Sequence, residues 1–417
     1  MIKSIFSRTK VTNVERMLQS EEAARRLGVK VSTLYAYVSR GLLESHPEPG
    51  GKRSLFELGD IERMAARSRG GRQAGSRLAT ITTGVTQLRE GGPFYRGRAA
   101  ADLIGELCFE QVAALLWQCE EGGDWSTPSL GASMPDRSVL AETSDRMRHA
   151  LVLCGATDPL RADLRPEAVT RAARRVVAAL VDAVGANEAV TAAVTDPGTA
   201  TDAVTDADSA AGGSIAHRLA HRLGGTGPIL SVAAVDAALI LMADHELATS
   251  TVAVRLAAST RADLYDALLA GLATLSGPLH GGASQQVYEL LVAAERDGAS
   301  RALNDVLRWH RRVPGFGHAI YKEFDPRFDA LLELAEPLLS EERRALLLEV
   351  MALAYAHEVP PPNCDLALAA LSWGTGMPPD AGRTIFTIAR IAGWTAHYQE
   401  ELSERPLRFR ARAVYSV

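Results

Sequence analysis

The chain has 417 residues, with 45 Lys and Arg against 50 Asp and Glu, and 47% of its residues are hydrophobic. This length is enough for about two or three domains, and the composition excludes a protein dominated by disorder. The longest apolar stretch, residues 229–243, contains Asp236 and is too short to cross a bilayer, so we expect a buried helix and no membrane partner.

The N-terminal residues lack the apolar core and the cleavage site of a secretory signal, so a cytoplasmic location is expected. The four cysteines, at positions 108, 119, 154 and 364, form no CxxC pair. This spacing favours free thiols over disulfides or a zinc site.

Residues 1–80 are basic, with fifteen Lys and Arg against eight Asp and Glu, whereas the remainder is acidic. Ser20 is suited to cap a short helix that stops at Gly28, and Ser32 to cap a second helix, TLYAYVSRG. A glycine-tipped hairpin and a third helix are predicted in GLLESHPEPGGKRSLFELGDIERM. Together these elements resemble a MerR-type or excisionase-type winged helix-turn-helix domain, which we place at residues 15–66.

In such domains the second helix enters the major groove of DNA and the wing contacts the backbone. The resemblance implies these contacts for Ser32, Thr33, Tyr35 and Tyr37 on the helix and for Lys52 and Arg53 on the wing. The second helix has no Arg, Lys, Asn or Gln before Arg40, so it is poorly equipped for base readout. DNA binding and a structural or protein-docking role therefore both stay open.

A flexible basic linker, RSRGGRQAGSR at residues 67–77, follows this domain. Beyond it, segments rich in Ala, Leu and Val recur at helical spacing, and alternating strands are scarce. Residues 186–213 contain no Lys, Arg or aromatic residue, which predicts a flexible insertion. The fold class expected for the body is therefore mostly all-α.

Three loops carry residues suited to acid–base chemistry. His280 lies in GPLHGGA ahead of an amphipathic helix, whose positive end favours a neutral imidazole that can donate an N–H bond. His318 lies in GFGHAIYKEFDPR, and Asp365 lies between the proline run PPPN and a helix start. A carboxylate base combined with neutral donors suits an enzyme that forms an enol.

These motifs, in this order, resemble the signatures of the citrate synthase family. The resemblance extends upstream to YRGR and ADHELATSTVAVR and downstream to ARIAGWTAHYQEE, and it covers roughly residues 78–417. It implies a large helical domain formed by residues 78–283 and 386–417. It also implies a small helical domain, residues 284–385, that closes over the large one.

The resemblance also assigns roles to individual residues. It implies that Asp365 removes a proton from an acyl-CoA, that His280 donates to the thioester oxygen, and that His318 polarises the ketone of oxaloacetate. It implies that four residues bind the carboxylates of oxaloacetate: His245, Arg327, Arg390 and Arg405. The last of these would reach into the neighbouring subunit of a homodimer. No metal or other cofactor is implied, because coenzyme A enters as the thioester substrate.

Several alternatives stay open at this point. Acetyl-CoA would give citrate and propionyl-CoA would give 2-methylcitrate, a difference of one methylene. A DNA-binding regulator that uses the body as a metabolite sensor is a further possibility. The sequence departs from the family at Ala319 and Ala248, where arginine and asparagine are common, which bears on the substrate more than on the reaction class.

Overall fold

The structure is a computed structural model. It describes residues 17–27, 29–39, 43–47, 54–57, 61, 81–126, 128, 134–135, 138–185, 213–224, 230–277, 280–309 and 312–410. The chain divides into two compact units, one comprising essentially residues 3–81 and 409–417 and the other residues 82–408. The predicted wing residues Lys52 and Arg53, the linker 67–77 and nearly all of the insertion 186–213 lie outside the described residues.

The first unit combines helices with a small antiparallel sheet. Its elements are β1 (Met17–Gln19), α1 (Ser20–Leu27), α2 (Val31–Ser39), β2 (His46–Pro47) and β3 (Ser54–Glu57). The strand order is β1-β3-β2, with Leu18 opposite Phe56 and His46 opposite Leu55. The β2–β3 pair is the predicted hairpin, and β1 is a strand that the sequence did not indicate.

The core of this unit limits which side chains of α2 can face outward. It contains the buried residues Leu18, Ala23, Ala24, Leu27, Leu34, Leu43, Phe56 and Ile61. Tyr37 packs against this core and Tyr35 forms an edge contact with Phe56, whereas Ser32 is exposed. Ser20 is the first residue of α1, and its hydroxyl bonds to the Tyr35 hydroxyl at 2.9 Å, so it joins α1 to α2.

The second unit is built mainly of helices. In chain order they are α3 (Phe109–Trp117), α4 (Thr143–Thr157), α5 (Pro166–Ala183), α6 (Ile215–Leu223), α7 (Leu230–Met242), α8 (Thr249–Ser259), α9 (Leu264–Leu275), α10 (Ala283–Asp297), α11 (Ala299–Trp309), α12 (Pro326–Ala335), α13 (Glu341–Ala356), α14 (Cys364–Gly374) and α15 (Ala381–Leu402). A three-stranded antiparallel sheet, β4 (Thr86–Arg89), β5 (Gly92–Tyr95) and β6 (Arg98–Ala99), precedes them. This confirms the mostly all-α fold class, while the boundary between large and small domains stays a prediction.

Local sequence explains where several of these helices begin. Pro166 and Pro326 occupy the first turns of α5 and α12, where a missing N–H costs nothing. Asp263 and Ser340 cap α9 and α13 by accepting hydrogen bonds from backbone amides. No described helix is long and apolar enough to span a membrane.

Helix α15 lies at the centre of the second unit and is buried along most of its length. It packs against α7, α8, α9, α5 and α3, and its Trp394 is fully buried. At Gly393 it approaches the end of α7 closely, with the Gly393 amide donating to the Ala243 carbonyl at 3.0 Å. A Cβ at Gly393 would lie 2.5 Å from that carbonyl oxygen and 2.2 Å from Asp244 Oδ1, so only glycine fits. This crossing places the segment that carries His245 beside α15.

Candidate active site

Two loops that the sequence singled out are joined by backbone hydrogen bonds. The Gly317 amide donates to the Pro361 carbonyl at 2.7 Å, and the Asn363 amide donates to the Gly315 carbonyl at 2.9 Å. The Asn363 side chain also donates to the Gly317 carbonyl at 2.7 Å. The loop that carries His318 and the loop that precedes Asp365 therefore form one short two-stranded arrangement.

Glycine is required in this arrangement at Gly315 and Gly317, whose φ angles are 79° and 77°. Residues other than glycine rarely adopt this left-handed backbone conformation. A Cβ at Gly315 would also lie 2.7 Å from Cγ2 of Val287, and one at Gly317 would lie 3.2 Å from Pro360. The GFG sequence thus sets both the turn and the close approach of the two loops.

Asp325 connects a third loop to the same place. Its carboxylate caps α12 by accepting from the Arg327 amide at 3.1 Å, and its Oδ2 accepts from the Cys364 amide at 3.1 Å at the start of α14. It also forms an ion pair of 2.8 Å with the Arg327 guanidinium, and both side chains are almost fully buried. Burial opposes the charge of Asp325, but Arg327 and the amide hydrogen bonds hold its pKa below the usual value.

Asp365 lies in the first turn of α14, which Asn363 caps by accepting from the Asp365 amide at 2.9 Å. Burial raises the pKa of Asp365 to about 6; Arg327 opposes this shift and Asp325 adds to it. Among the described residues, none donates a hydrogen bond to this half-buried carboxylate. A carboxylate that is poorly solvated and unpaired is a stronger base than an ordinary aspartate.

The backbone determines which nitrogen of His318 carries its proton. Nδ1 accepts hydrogen bonds from the amides of Ile320 and Tyr321, both at 3.1 Å. Burial, followed by the charge of Arg327, lowers the pKa of His318 to about 4, so the ring is neutral at pH 7. Because Nδ1 accepts, the proton lies on Nε2. Nη2 of Arg327 lies 3.3 Å from this Nε2, so two nitrogen donors of the site are direct neighbours.

Arg327 and Arg390 supply two buried positive charges at this position. Burial alone would lower the pKa of Arg327, but Asp325 outweighs it and raises that pKa. The Nε of Arg390 donates to the Met242 carbonyl at 2.9 Å, and its guanidinium lies over the Phe386 ring at 4.5 Å. Among the described residues, none accepts from the terminal nitrogens of Arg390, which leaves those donors for a carboxylate.

His245 lies among these groups in the segment that links α7 to α8. Its ring meets the rings of His318 and Tyr321 edge to face, with centroids 5.3 and 5.5 Å away. Burial and the charges of Arg327 and Arg390 lower its pKa well below the usual value, so it is neutral. The structure thus brings His245, His318, Arg327 and Arg390 together, as the sequence predicted.

His280 precedes α10, and its Nε2 lies 2.8 Å from the Ser250 hydroxyl on α8. The sequence predicted a neutral ring from the positive end of α10. Burial, followed by the charge of Arg390, lowers its pKa, so the direction agrees but the cause differs. Phe386 makes an edge contact with His280 at 6.5 Å and lies under Arg390, which connects this histidine to the rest of the cluster.

Arg405 is the predicted site residue that the structure does not bring into the cluster. It is exposed, and it makes no hydrogen bond or ion pair with a described residue of this chain. Its neighbours are fixed, since the Leu407 amide donates to the Ser259 carbonyl at 2.9 Å and Arg408 pairs with Glu401 at 2.6 Å. Arg405 therefore projects outward from an anchored segment.

A family model described as "Citrate synthase, C-terminal domain" matches residues 75–412. This chain belongs to the citrate synthase family. A second model, described as "Helix-turn-helix domain", matches residues 17–69. Both resemblances stated from the sequence are confirmed, and the chain is an enzyme of the transferase class.

Individual citrate synthases agree with this assignment. "Citrate synthase 2" of Bacillus subtilis is 27% identical over 360 residues, which cover 81% of this chain and 94% of the relative. The citrate synthases of Saccharolobus solfataricus and Corynebacterium glutamicum are 35% and 37% identical, over 44% and 45% of this chain. Those two alignments span about half of each relative, 51% and 46%.

Solved citrate synthases share the fold. The enzyme of Thermoplasma acidophilum, in a ternary complex with carboxymethyl coenzyme A and oxaloacetate, aligns with a TM-score of 0.64 at 21% identity, covering 84% of this chain and 96% of that one. The citrate synthase of Thermotoga maritima aligns with a TM-score of 0.60 at 22% identity, covering 82% and 95%.

Several residues of this citrate synthase-like cluster were not singled out from the sequence. They are Ser250, Tyr321, Asp325, Asn363 and Phe386. The capping roles of Asp325 and Asn363 could have been predicted, because an Asp before Pro and an Asn before a helix are typical N-caps. Tyr321 and Phe386 carried no such signal, since their contacts with His245 and His280 join residues far apart in the chain.

Proposed function

We propose that this chain condenses acetyl-CoA with oxaloacetate to give citrate and free CoA. The observation that carries the proposal is an unbonded carboxylate, Asp365, in the same site as neighbouring donors on His318 and Arg327. Enolisation needs the carboxylate as a base, and attack on a ketone needs the donors to stabilise its oxygen.

The first step is removal of a proton from the acyl methyl group by Asp365. Its pKa of about 6 leaves it ionised at pH 7 yet more basic than a solvated aspartate. His280, which is neutral, donates a hydrogen bond to the thioester oxygen as negative charge develops there. The product of this step is the enolate of the acyl-CoA, whose oxygen accepts the hydrogen bond from His280, and the proton removed is held by Asp365.

The α carbon of this enolate then attacks the ketone carbon of oxaloacetate. The Nε2–H of His318 and the Arg327 guanidinium stabilise the oxygen that becomes the alkoxide, and a proton converts it to the hydroxyl of the product. Water finally cleaves the thioester, which releases CoA as the thiol and leaves a new carboxylate. No step requires a metal or another cofactor.

Oxaloacetate carries two carboxylates, for which the cluster offers Arg390, Arg327 and His245. Arg405 would complete the site from a second copy of the chain, because it projects outward from an anchored segment. We therefore propose a homodimer whose two sites each include one partner arginine. Arg405→Gln should raise the KM for oxaloacetate without changing the dimer mass, whereas an unchanged KM would remove Arg405 from the site.

Substitution of the two acid–base residues tests the reaction. Asp365→Ala and His280→Ala should each lower kcat by about 10²–10⁴-fold, since each removes a general acid or base. Asp305→Ala and His357→Ala are matched controls, because both residues are exposed and lie outside the cluster. CoA release from acetyl-CoA and oxaloacetate is the assay, and wild-type turnover by either active-site variant would refute the proposal.

The acyl group is the least constrained part of the proposal, and the alternative is propionyl-CoA. One methylene changes binding by about 1–3 kcal/mol, or about 10–200-fold in kcat/KM. The relatives' names favour acetyl-CoA. Measurement of kcat/KM for both thioesters decides between them, and a higher value for propionyl-CoA would make this a 2-methylcitrate synthase.

As a second candidate function we propose that the N-terminal unit binds DNA. The helix-turn-helix match and the basic charge of residues 1–80 favour it. The exposed face of α2 offers Ser32 and Tyr35 and no basic side chain, so most affinity should come from phosphate contacts. Mobility-shift titrations at several salt concentrations test this: steep salt dependence supports it, and no binding at low salt refutes it.

A further inference from the structure

A tyrosine that the proposed mechanism does not use lies between two of its histidines. Tyr321 is 8% exposed, and its hydroxyl oxygen lies 3.2 Å from Nε2 of His245. Its ring stacks on the His318 ring, with centroids 4.8 Å apart and planes inclined by 24°. The Arg327 guanidinium lies 5.5 Å from the centre of the same ring. One side chain therefore touches three predicted site residues.

We propose that Tyr321 is a positioning residue for both imidazoles: its hydroxyl orients His245 and its ring fixes the plane of His318. The kinetic consequences rest on the proposed condensation, in which these two histidines bind and polarise oxaloacetate. The hydrogen bond and the ring stack do not depend on that proposal.

The hydroxyl of Tyr321 donates and Nε2 of His245 accepts. Burial raises the pKa of Tyr321 and lowers that of His245, so both groups are neutral. A neutral phenol is a better donor than acceptor, and the unprotonated nitrogen of imidazole is a good acceptor. The bond therefore keeps His245 in the tautomer protonated at Nδ1. Without the hydroxyl, the ring loses this preference and gains freedom to rotate.

The ring of Tyr321 acts separately on His318. The backbone amides of Ile320 and Tyr321 hold one edge of the His318 ring through Nδ1. Two hydrogen bonds to Nδ1 still allow the His318 ring to tilt, which would move Nε2 on its opposite edge. Stacking against Tyr321 restricts this motion and keeps Nε2 in its position beside Nη2 of Arg327.

Two substitutions separate these contributions. Tyr321→Phe removes the hydroxyl and retains the ring, and it should raise the KM for oxaloacetate about two- to tenfold with little change in kcat. Tyr321→Leu removes the ring as well, and its kcat should be about tenfold lower than that of Tyr321→Phe. Tyr288→Phe is the control, because its half-buried hydroxyl bonds the Met377 carbonyl outside the cluster.

A ¹⁵N NMR spectrum of the histidine rings gives a readout that general loss of packing would not produce. Tyr321→Phe should shift the His245 signals, identified by their absence in His245→Asn, away from the Nδ1–H tautomer, and Tyr288→Phe should not. Unchanged His245 signals and an unchanged KM in Tyr321→Phe would refute the role of the hydroxyl. Equal kcat values for the Phe and Leu variants would refute the role of the ring. If the wild-type protein shows no condensation, the proposed function fails, and the NMR comparison still decides the hydroxyl contact.

Discussion

Replacing Asp365 by Asn should abolish turnover and at the same time stabilise the fold. The physical reason is the cost of holding a carboxylate in a poorly solvated position, which raises the pKa of Asp365 from its usual value of 3.8 to about 6. Asn has nearly the same shape and no charge, so it removes that cost and leaves no cavity.

The magnitude follows from the size of the shift. Each pKa unit corresponds to about 1.4 kcal/mol, so a shift of about two units disfavours the ionised folded state by about 3 kcal/mol. Partial exposure screens some of this cost, and the first turn of α14 offsets up to about 1 kcal/mol through the helix dipole. We expect a net stabilisation of about 1–3 kcal/mol at pH 8.

The pH dependence of this gain has a definite sign. The folded pKa of Asp365 is raised, so the folded state binds its proton more tightly than the unfolded chain does. The penalty is therefore absent below pH 3.8, grows as the pH rises, and reaches its full value above about pH 6. At pH 5 the stabilisation by Asn should be about half of its value at pH 8.

Urea unfolding of the wild-type protein and of Asp365→Asn at pH 5 and pH 8 measures this difference. Asp305→Asn is the control, because that side chain is exposed on α11. Equal midpoints at pH 8, or the same gain at both pH values, would refute the reasoning about Asp365. Turnover measured on the same samples shows whether the more stable variant has lost activity.

Three further predictions concern the same cluster. The kcat/KM of the wild-type enzyme should fall as the pH decreases through about 6, because Asp365 must be ionised to act as the base; a flat profile from pH 5 to 8 would contradict this. Asp325→Asn should destabilise the fold by about 3–5 kcal/mol in urea unfolding, because it leaves Arg327 buried without its counterion; a change below about 1 kcal/mol would show that the pair is not coupled. Gly393→Ala should lower the thermal midpoint by several degrees, because its Cβ would overlap the Ala243 carbonyl oxygen; an unchanged midpoint would show that the helix crossing can relax.

Much of this site could be predicted because its residues lie in loops with strong local signals. GPLHGGA, GFGH and PPPN contain glycines and prolines that terminate helices and permit unusual backbone angles, so the positions of His280, His318 and Asp365 between helices followed from sequence. The four-residue cluster of His245, His318, Arg327 and Arg390 followed from the family resemblance.

Other features could not be predicted because they depend on contacts between loops. The lowered pKa of His280 was expected from the positive end of α10, but its cause was not: it arises from burial and from Arg390, more than a hundred residues away in the chain. The contacts of Tyr321 depend on how its loop folds against the segment before α8. In the N-terminal unit, the resemblance placed Tyr37 on an exposed recognition face, but Tyr37 is partly buried and packs against the core.

The protonation pattern of His318 is encoded by the main chain, through the amides of residues 320 and 321. Side chains at positions 319 and 320 can therefore vary without moving the proton to the other nitrogen. Ala319 is exposed and supplies neither amide. A substitution at position 319 should thus change this rim of the site while the Nε2 donor of His318, proposed to bind the ketone oxygen, stays the same. Proline is the exception, since Pro at position 320 would delete one of the two donors.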